Sequence, residues 1–265
     1  MSIWKLHIEY EGTRYFGWQE QKNARTVAGE IRAAAARFLG APVELIGAGR
    51  TDAGVHALDQ VARLRSDRRM PRAELMRGLN DALPADINIL SVKEMPGRFD
   101  PRRDALQRHY IYQISTRRMA FAKKFVWWVR DPLDAERMQS AAASLLGKHD
   151  FSRFAESRED EKSTVVRIDR AELGVEGDLI LFRIAAPRFL WKMVRRIVGT
   201  LVEVGRGTIS PEYFSQLVAG RVDLAGSEQF SIAAHTAPPS GLFLERVVYS
   251  KSEEAGPLVP ALIRA

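Results

Sequence analysis

Cysteine is absent from the 265-residue chain. Without thiols there are no disulfides and no thiolate-held zinc or iron–sulfur centre. Histidine is sparse: His7, His56, His109, His149 and His235 are scattered without ligand spacing, so no metal site is expected. No apolar run approaches the roughly 18 residues that a membrane span requires. The first residues also lack the basic start and apolar middle of a secretory signal, so a cytoplasmic protein with no membrane partner is expected. Glycines occur near position 50, but the Gly-Lys-Ser/Thr of a Walker phosphate loop does not accompany them, and a nucleotide-binding reading fails on that ground.

The composition that remains, 46% hydrophobic and 28% charged, is that of a globular protein with a sizeable core, either one broad domain or two fused halves. A net charge of +7 points to a polyanionic partner. Its distribution is informative. Between Arg98 and Arg130 lie nine basic residues (Arg98, Arg102, Arg103, Arg108, Arg117, Arg118, Lys123, Lys124, Arg130) against Asp100 and Asp104, an excess equal to that of the entire chain. Tyr110, Tyr112, Phe121, Phe125, Trp127 and Trp128 are interleaved with them. That pattern suits a surface that grips phosphates and stacks bases; the competing reading is a solvated charged face over core aromatics.

The stretch with the most chemical content is Gly47-Ala48-Gly49-Arg50-Thr51-Asp52-Ala53-Gly54-Val55-His56. Three glycines in eight positions imply a tight turn. Val43 to Ile46 and Gln60 to Leu64 read as strands on either side, so the loop presents Asp52 at a sheet end. An aspartate in a glycine-rich connection is commonly a turn residue bonding its own backbone. Arg50 argues for more, because a carboxylate beside a guanidinium is ionised and aimed, as a nucleophile must be. His56 is close enough in sequence to touch a substrate or to brace the loop.

Alternation and capping lay out the other elements. Ile3 to Tyr10 alternates as a half-buried strand. Glu11-Gly12-Thr13 turns it into the aromatic loop Tyr15 to Gln21. Thr26 caps a helix ended by Gly40, and Pro71 opens another carrying Leu75, Leu79 and Leu83. Asp86 to Val92 reads as a strand. A second half begins near Ala105 with a strand to Ser115 that alternates about Tyr110, followed by a short aromatic strand from Phe125 to Val129. A helix from Asp134 to Leu146 closed by Gly147 comes next, then strands Val165 to Val175 and Leu179 to Ala185 about a Gly177-Asp178 turn. A deeply packed helix spans Phe189 to Val204, a shorter one opens at Ser210-Pro211, and a last strand runs to Tyr249. The stretch from Glu156 to Lys162 has no apolar residue and is expected to be a mobile surface loop. The order implies an α+β fold with a mainly antiparallel sheet backed by helices, in two halves, 1–103 and 104–265, with a central basic cleft.

The run Gly49-Arg50-Thr51-Asp52-Ala53-Gly54-Val55-His56-Ala57 resembles the active-site signature of the tRNA pseudouridine synthase A (TruA) family. Other segments resemble further parts of the same family: Gly17-Trp18-Gln19-Glu20-Gln21, Arg108-His109-Tyr110-Ile111-Tyr112, Asp150-Phe151-Ser152-Arg153-Phe154, Met193-Val194-Arg195 and the run from Ala237 to Leu244. The resemblance implies two ferredoxin-like halves, isomerisation of uridine to pseudouridine at positions 38 to 40 of the tRNA anticodon stem-loop, a homodimer and no cofactor. It places Asp52 as nucleophile, Tyr110 against the flipped uracil and Arg195, with Arg50, as the cations that keep Asp52 charged. The chain departs from the family pattern at Glu11-Gly12, where many members have Asp-Gly, and at Phe99-Asp100-Pro101-Arg102, where they have Phe-His-Ala-Arg. A catalytically idle RNA binder, or the same reaction on another RNA, are the alternatives.

Overall fold

The computed structural model describes residues 1–157, 163–222, 230–253 and 255–261. Its elements follow in chain order. Strand β1 (Ser2–Tyr10) alternates as its sequence demands, burying Trp4, Leu6, Ile8 and Tyr10 while Lys5, His7 and Glu9 stay part-exposed. A 3-10 turn (Gly12–Arg14) follows, capped by the Glu11 carboxylate. In α1 (Val27–Leu39) the Thr26 side chain accepts from the Gly29 N–H, and Gly40 ends the helix at φ 61°, left-handed backbone that glycine adopts without strain. Strands β2 (Glu44–Gly47) and β3 (His56–Ser66) flank the Asp52 loop. Helix α2 (Arg72–Ala82) buries Leu75 and Leu79, and Asn80 brackets the backbone N–H and C=O of Ile89, tying α2 to β4 (Ile87–Glu94).

The later elements are β5 (Gln107–Ser115), β6 (Trp127–Trp128), α3 (Ala135–Ala143), β7 (Gly147–Asp150), β8 (Val165–Ile168), β9 (Arg170–Glu176), β10 (Leu179–Ala186), α4 (Met193–Arg206), α5 (Pro211–Val218) and β11 (Leu242–Val248). The fold is α+β, with mainly antiparallel strands backed by helices, as expected. The chain divides into two compact units: Met1–Arg108 with Phe243–Glu254, and His109–Leu242 with Ala255–Ala265. In the first, the sheet order is β4-β1-β3-β11, with β2 also paired to β3; β1 is antiparallel to β3 and β4, and β11 is parallel to β3. In the second, β5, β10 and β9 are neighbours, β6 lies parallel to β5, and β7 and β8 form a separate ladder.

Several elements differ from the sequence reading. Strand β5 is buried on both faces, and Gln113, on the face opposite Tyr110, donates to the Phe125 carbonyl and accepts from the Ala261 N–H. The stretch from Val165 to Val175 is two strands, since Asp169 interrupts it and sends β8 to β7 and β9 to β10. The hairpin about Gly177-Asp178 is present, with Leu179 opposite Glu176. Helix α3 stops at Ala143, where Ser144 bonds the Ala141 carbonyl through its hydroxyl, and Gly147 begins a strand instead of closing the helix. The aromatic strand shrinks to Trp127–Trp128. Helix α4 begins at Met193, after Lys192 has turned the chain at φ 60°. Most of the expected loop from Glu156 to Lys162 lies outside the described residues.

Candidate active site

Strand β3 outruns β2. Their pairing ends at Gly47 opposite Ala62, while β3 starts at His56 and continues alongside β1, with Ala57 opposite Tyr10. The eight intervening residues must therefore fold back over the end of the sheet. Three groups of contacts fix that path. At the loop's base the Ala48 N–H donates to Val61 O (2.8 Å) and the Gln60 amide donates to Gly49 O (3.1 Å). At its crest the Val55 N–H closes a turn on Asp52 O, with Gly54 at φ 78°. The segment leaving β1 supplies the third group: the Trp18 N–H bonds Thr51 O (3.1 Å), the Gly54 N–H bonds Tyr15 O (3.2 Å), and the buried Tyr10 hydroxyl meets Thr51 Oγ1 (2.7 Å).

This fit explains two glycines. A Cβ on Gly12 would stand 1.9 Å from Val55 O, and one on Gly17, itself at φ 85°, 2.4 Å from Thr51 O. Each approach requires a bare Cα. Tyr15 is anchored from below, donating to the Asp86 carboxylate while Arg25 lies over its ring; burial, then this bond, pushes its phenol well above the usual range. Trp18 is buried beside Gly47, so the aromatic loop is largely a plug that supports the Asp52 loop. His56 is buried, stacks on Phe243 with centroids 4.7 Å apart, and accepts from the Gly12 N–H at Nδ1 (3.0 Å). Of its two readings, bracing the loop is the one its contacts support. Tyr10, Thr51 and Tyr15 were not singled out as site residues from sequence; the only signal for them was their nearness to the glycine-rich turns.

Within this framework Asp52 is half-buried and Arg50 exposed, with Arg50 Nε donating to Gln19 Oε1 (3.1 Å). The other two named residues lie in the second unit. Tyr110 on β5 is 8% exposed and meets Phe189 edge to face at 5.2 Å. Arg195, in the first turns of α4, donates from Nε to Ala237 O (2.7 Å), and Ala237 N–H returns a bond to Arg195 O (3.0 Å). Tyr112 next to it is wholly buried, donating to Pro238 O, and burial raises its phenol despite the opposing charge of Arg195.

The basic stretch divides between surface and interior. Arg108 is 8% exposed and donates to the carbonyls of Ala48 and Arg102, both at 2.7 Å, so it is a strut and not a phosphate clamp. Tyr112 is core. Phe121 is fully exposed and Trp128 is exposed beneath Arg118, at 5.9 Å, leaving these rings available to stack. The two departures from the family pattern are local structure. Glu11 caps the 3-10 turn, and Asp100 accepts from the N–H groups of Arg102 and Arg103.

Comparison with known proteins places the chain among RNA-modifying enzymes. The family model described as tRNA pseudouridine synthase matches residues 7–102 and 141–250. The protein named tRNA pseudouridine synthase A from Geotalea uraniireducens is 42% identical over 92% of this chain and 98% of its own. The one from Myxococcus xanthus is 42% identical over 92% and 91%, and that from Aquifex aeolicus 36% identical over 94% and 100%. A chain in the crystal structure of a Cbf5-Nop10-Gar1 complex is a distant neighbour, with TM-score 0.32 and 11% identity over 75% of this chain and 54% of that one, too slight a likeness to argue from. The chain belongs to the tRNA pseudouridine synthase family. It is an isomerase that converts uridine to pseudouridine in tRNA.

Proposed function

We propose that Asp52 is the nucleophile of this isomerase and that Tyr110, Arg50 and Arg195 serve the same uridine. The observation that supports the reading is the bonding of the Asp52 loop: its base, crest and outer edge are each hydrogen-bonded, so the backbone that carries Asp52 is positioned before substrate arrives. The reaction breaks the bond from uracil N1 to ribose C1′ and forms one from C5 to C1′; the C5 hydrogen leaves as a proton and N1 takes one up. Asp52 supplies the electron pair, Tyr110 lies against the uracil face, and the guanidinium groups of Arg50 and Arg195 favour the ionised carboxylate. None of these roles uses a metal or a cofactor.

The substrate we propose is the anticodon stem-loop, at tRNA positions 38 to 40, and the working form a cytoplasmic homodimer. The family's name for its substrate supports a tRNA; the exposed Phe121 and Trp128 among Arg117, Arg118, Lys123 and Lys124 support stacking on unpaired bases. Among the described residues no helix is long and apolar enough to cross a membrane. Tritium release from tRNA carrying 5-tritiated uridine tests the reading. Wild type should release tritium, and Asp52→Asn should bind tRNA within about twofold of wild type while release falls below detection. Appreciable release by Asp52→Asn would remove Asp52 from its role. Sequencing the modified sites in product tRNA checks the positions, and sedimentation at micromolar protein checks the dimer.

A further inference from the structure

Beside the Asp52 loop, within the first unit, lies a groove of about 190 Å³ with polar walls formed by Gln19, Glu20, Arg32, Arg50 and Arg102 and with Gly49 at its edge. We propose that this groove is a subsite for one phosphodiester of the tRNA strand next to the reacting uridine, with Arg102 as its principal ligand. The proposal rests on the tRNA-modifying activity and adds to it a site and a residue.

Charge selects an anion. The one carboxylate in the walls, Glu20, is already committed to Arg32 through Arg32 Nε (2.8 Å) and Nη2 (2.5 Å), and that bond to Arg32 holds it below the usual carboxylate range. The pair cancels, leaving the exposed Arg102 to set the sign. Arg50 is partly engaged by Gln19. Arg102 makes no side-chain hydrogen bond or ion pair among the described residues.

The backbone beneath Arg102 is built. Its N–H donates to Asp100 Oδ1 (2.9 Å), the Asp100 N–H donates to Asp104 Oδ2 (2.9 Å), and its carbonyl accepts from Arg108 Nη2 (2.7 Å). The same Arg108 nitrogen bonds Ala48 O, so one buried guanidinium fixes the separation of the groove's two sides. Bonds from the Arg103 and Arg102 N–H groups hold the Asp100 carboxyl below its usual range, so this turn stays capped through neutral pH. A planar fork on a fixed turn is suited to two parallel bonds to a phosphate. A stacked base is disfavoured, since Trp18, the aromatic ring of the lining, is buried. Arg50 is two residues from Asp52, so their Cα atoms are at most about 7 Å apart, which makes the bound phosphate a near neighbour of the uridine attacked.

The test compares wild type, Arg102→Ala and Arg102→Lys on a tRNA transcript. Arg102→Ala should raise KM about tenfold with kcat within about twofold, and the slope of log Kd against log salt should fall by about 0.7 to 0.9, the share of one phosphate. Arg102→Lys should regain the slope but only part of the KM, because an ammonium cannot form the fork. An unchanged KM and slope for Arg102→Ala, with wild type active, overturns the subsite; an inactive wild type overturns the activity instead. Neutral methylphosphonates placed singly around the target uridine test the subsite on the wild-type protein as well as on the variant. One position should weaken wild type about tenfold and leave Arg102→Ala unaffected, whereas additive losses at every position would sink the proposal.

Discussion

At the scale of single residues, the Asp52 loop depends on groups that do no chemistry. Tyr10 and Thr51 share a buried hydroxyl pair across 41 positions of sequence, joining β1 to the residue next to Asp52. In Tyr10→Phe the Thr51 hydroxyl loses a buried partner, at a cost of about 1–2 kcal/mol. We expect kcat to fall about tenfold while KM for tRNA is unchanged, since the ring still fills its place in the core and only the aim of the loop relaxes. Thr51→Val should behave alike, and the double variant should be no worse than either single one, because both delete the same bond. Steady-state kinetics on the four proteins checks this; a rise in KM with kcat intact would make Tyr10 a substrate contact instead.

Among the secondary-structure elements, α4 meets a neighbouring segment at a bare Cα. Its Gly199 admits the chain at His235, where a Cβ would lie 1.5 Å from His235 O, and this passage sets the reciprocal bonds between Arg195 and Ala237. Gly199→Ala should therefore destabilise the protein by several kcal/mol, well beyond the gain of alanine over glycine in a helix, read as a drop in thermal midpoint. A control is Thr26→Ala, which removes only the α1 cap and should cost about 1 kcal/mol. A higher midpoint for Gly199→Ala would show that the 235–237 segment is free to move away.

The sequence disclosed elements whose signals are local. The cap at Thr26, the stop at Gly40, the Pro71 start and the Gly177-Asp178 hairpin are all set by residues within a turn of the feature. It was silent where tertiary contacts decide: Gln113 finds two backbone partners inside β5's buried surroundings, and Arg108 counts as surface charge until three carbonyls close on it. For the site, glycine spacing and one carboxylate located the loop. The clamp from Tyr10, Gly12, Tyr15 and Trp18 was hidden, since nothing in a linear pattern reveals which turn of chain lies against which.

For the molecule as a whole, the excess of seven positive charges has a measurable consequence. If six or more phosphates are contacted, tRNA affinity should fall by about a thousandfold or more between 50 and 200 mM salt. Asp52→Asn should follow the same line. The carboxylate is assigned to the reacting base and sugar, so replacing it leaves the number of displaced counterions alone, while turnover disappears. Arg102→Ala should instead diverge from wild type, having given up one phosphate. Fluorescence polarisation across a salt series distinguishes the cases, because catalysis and electrostatic capture are assigned to different side chains. A parallel shift of slope in Asp52→Asn would mean that the loop reads the backbone of the RNA, and the division of labour argued from its geometry would fail.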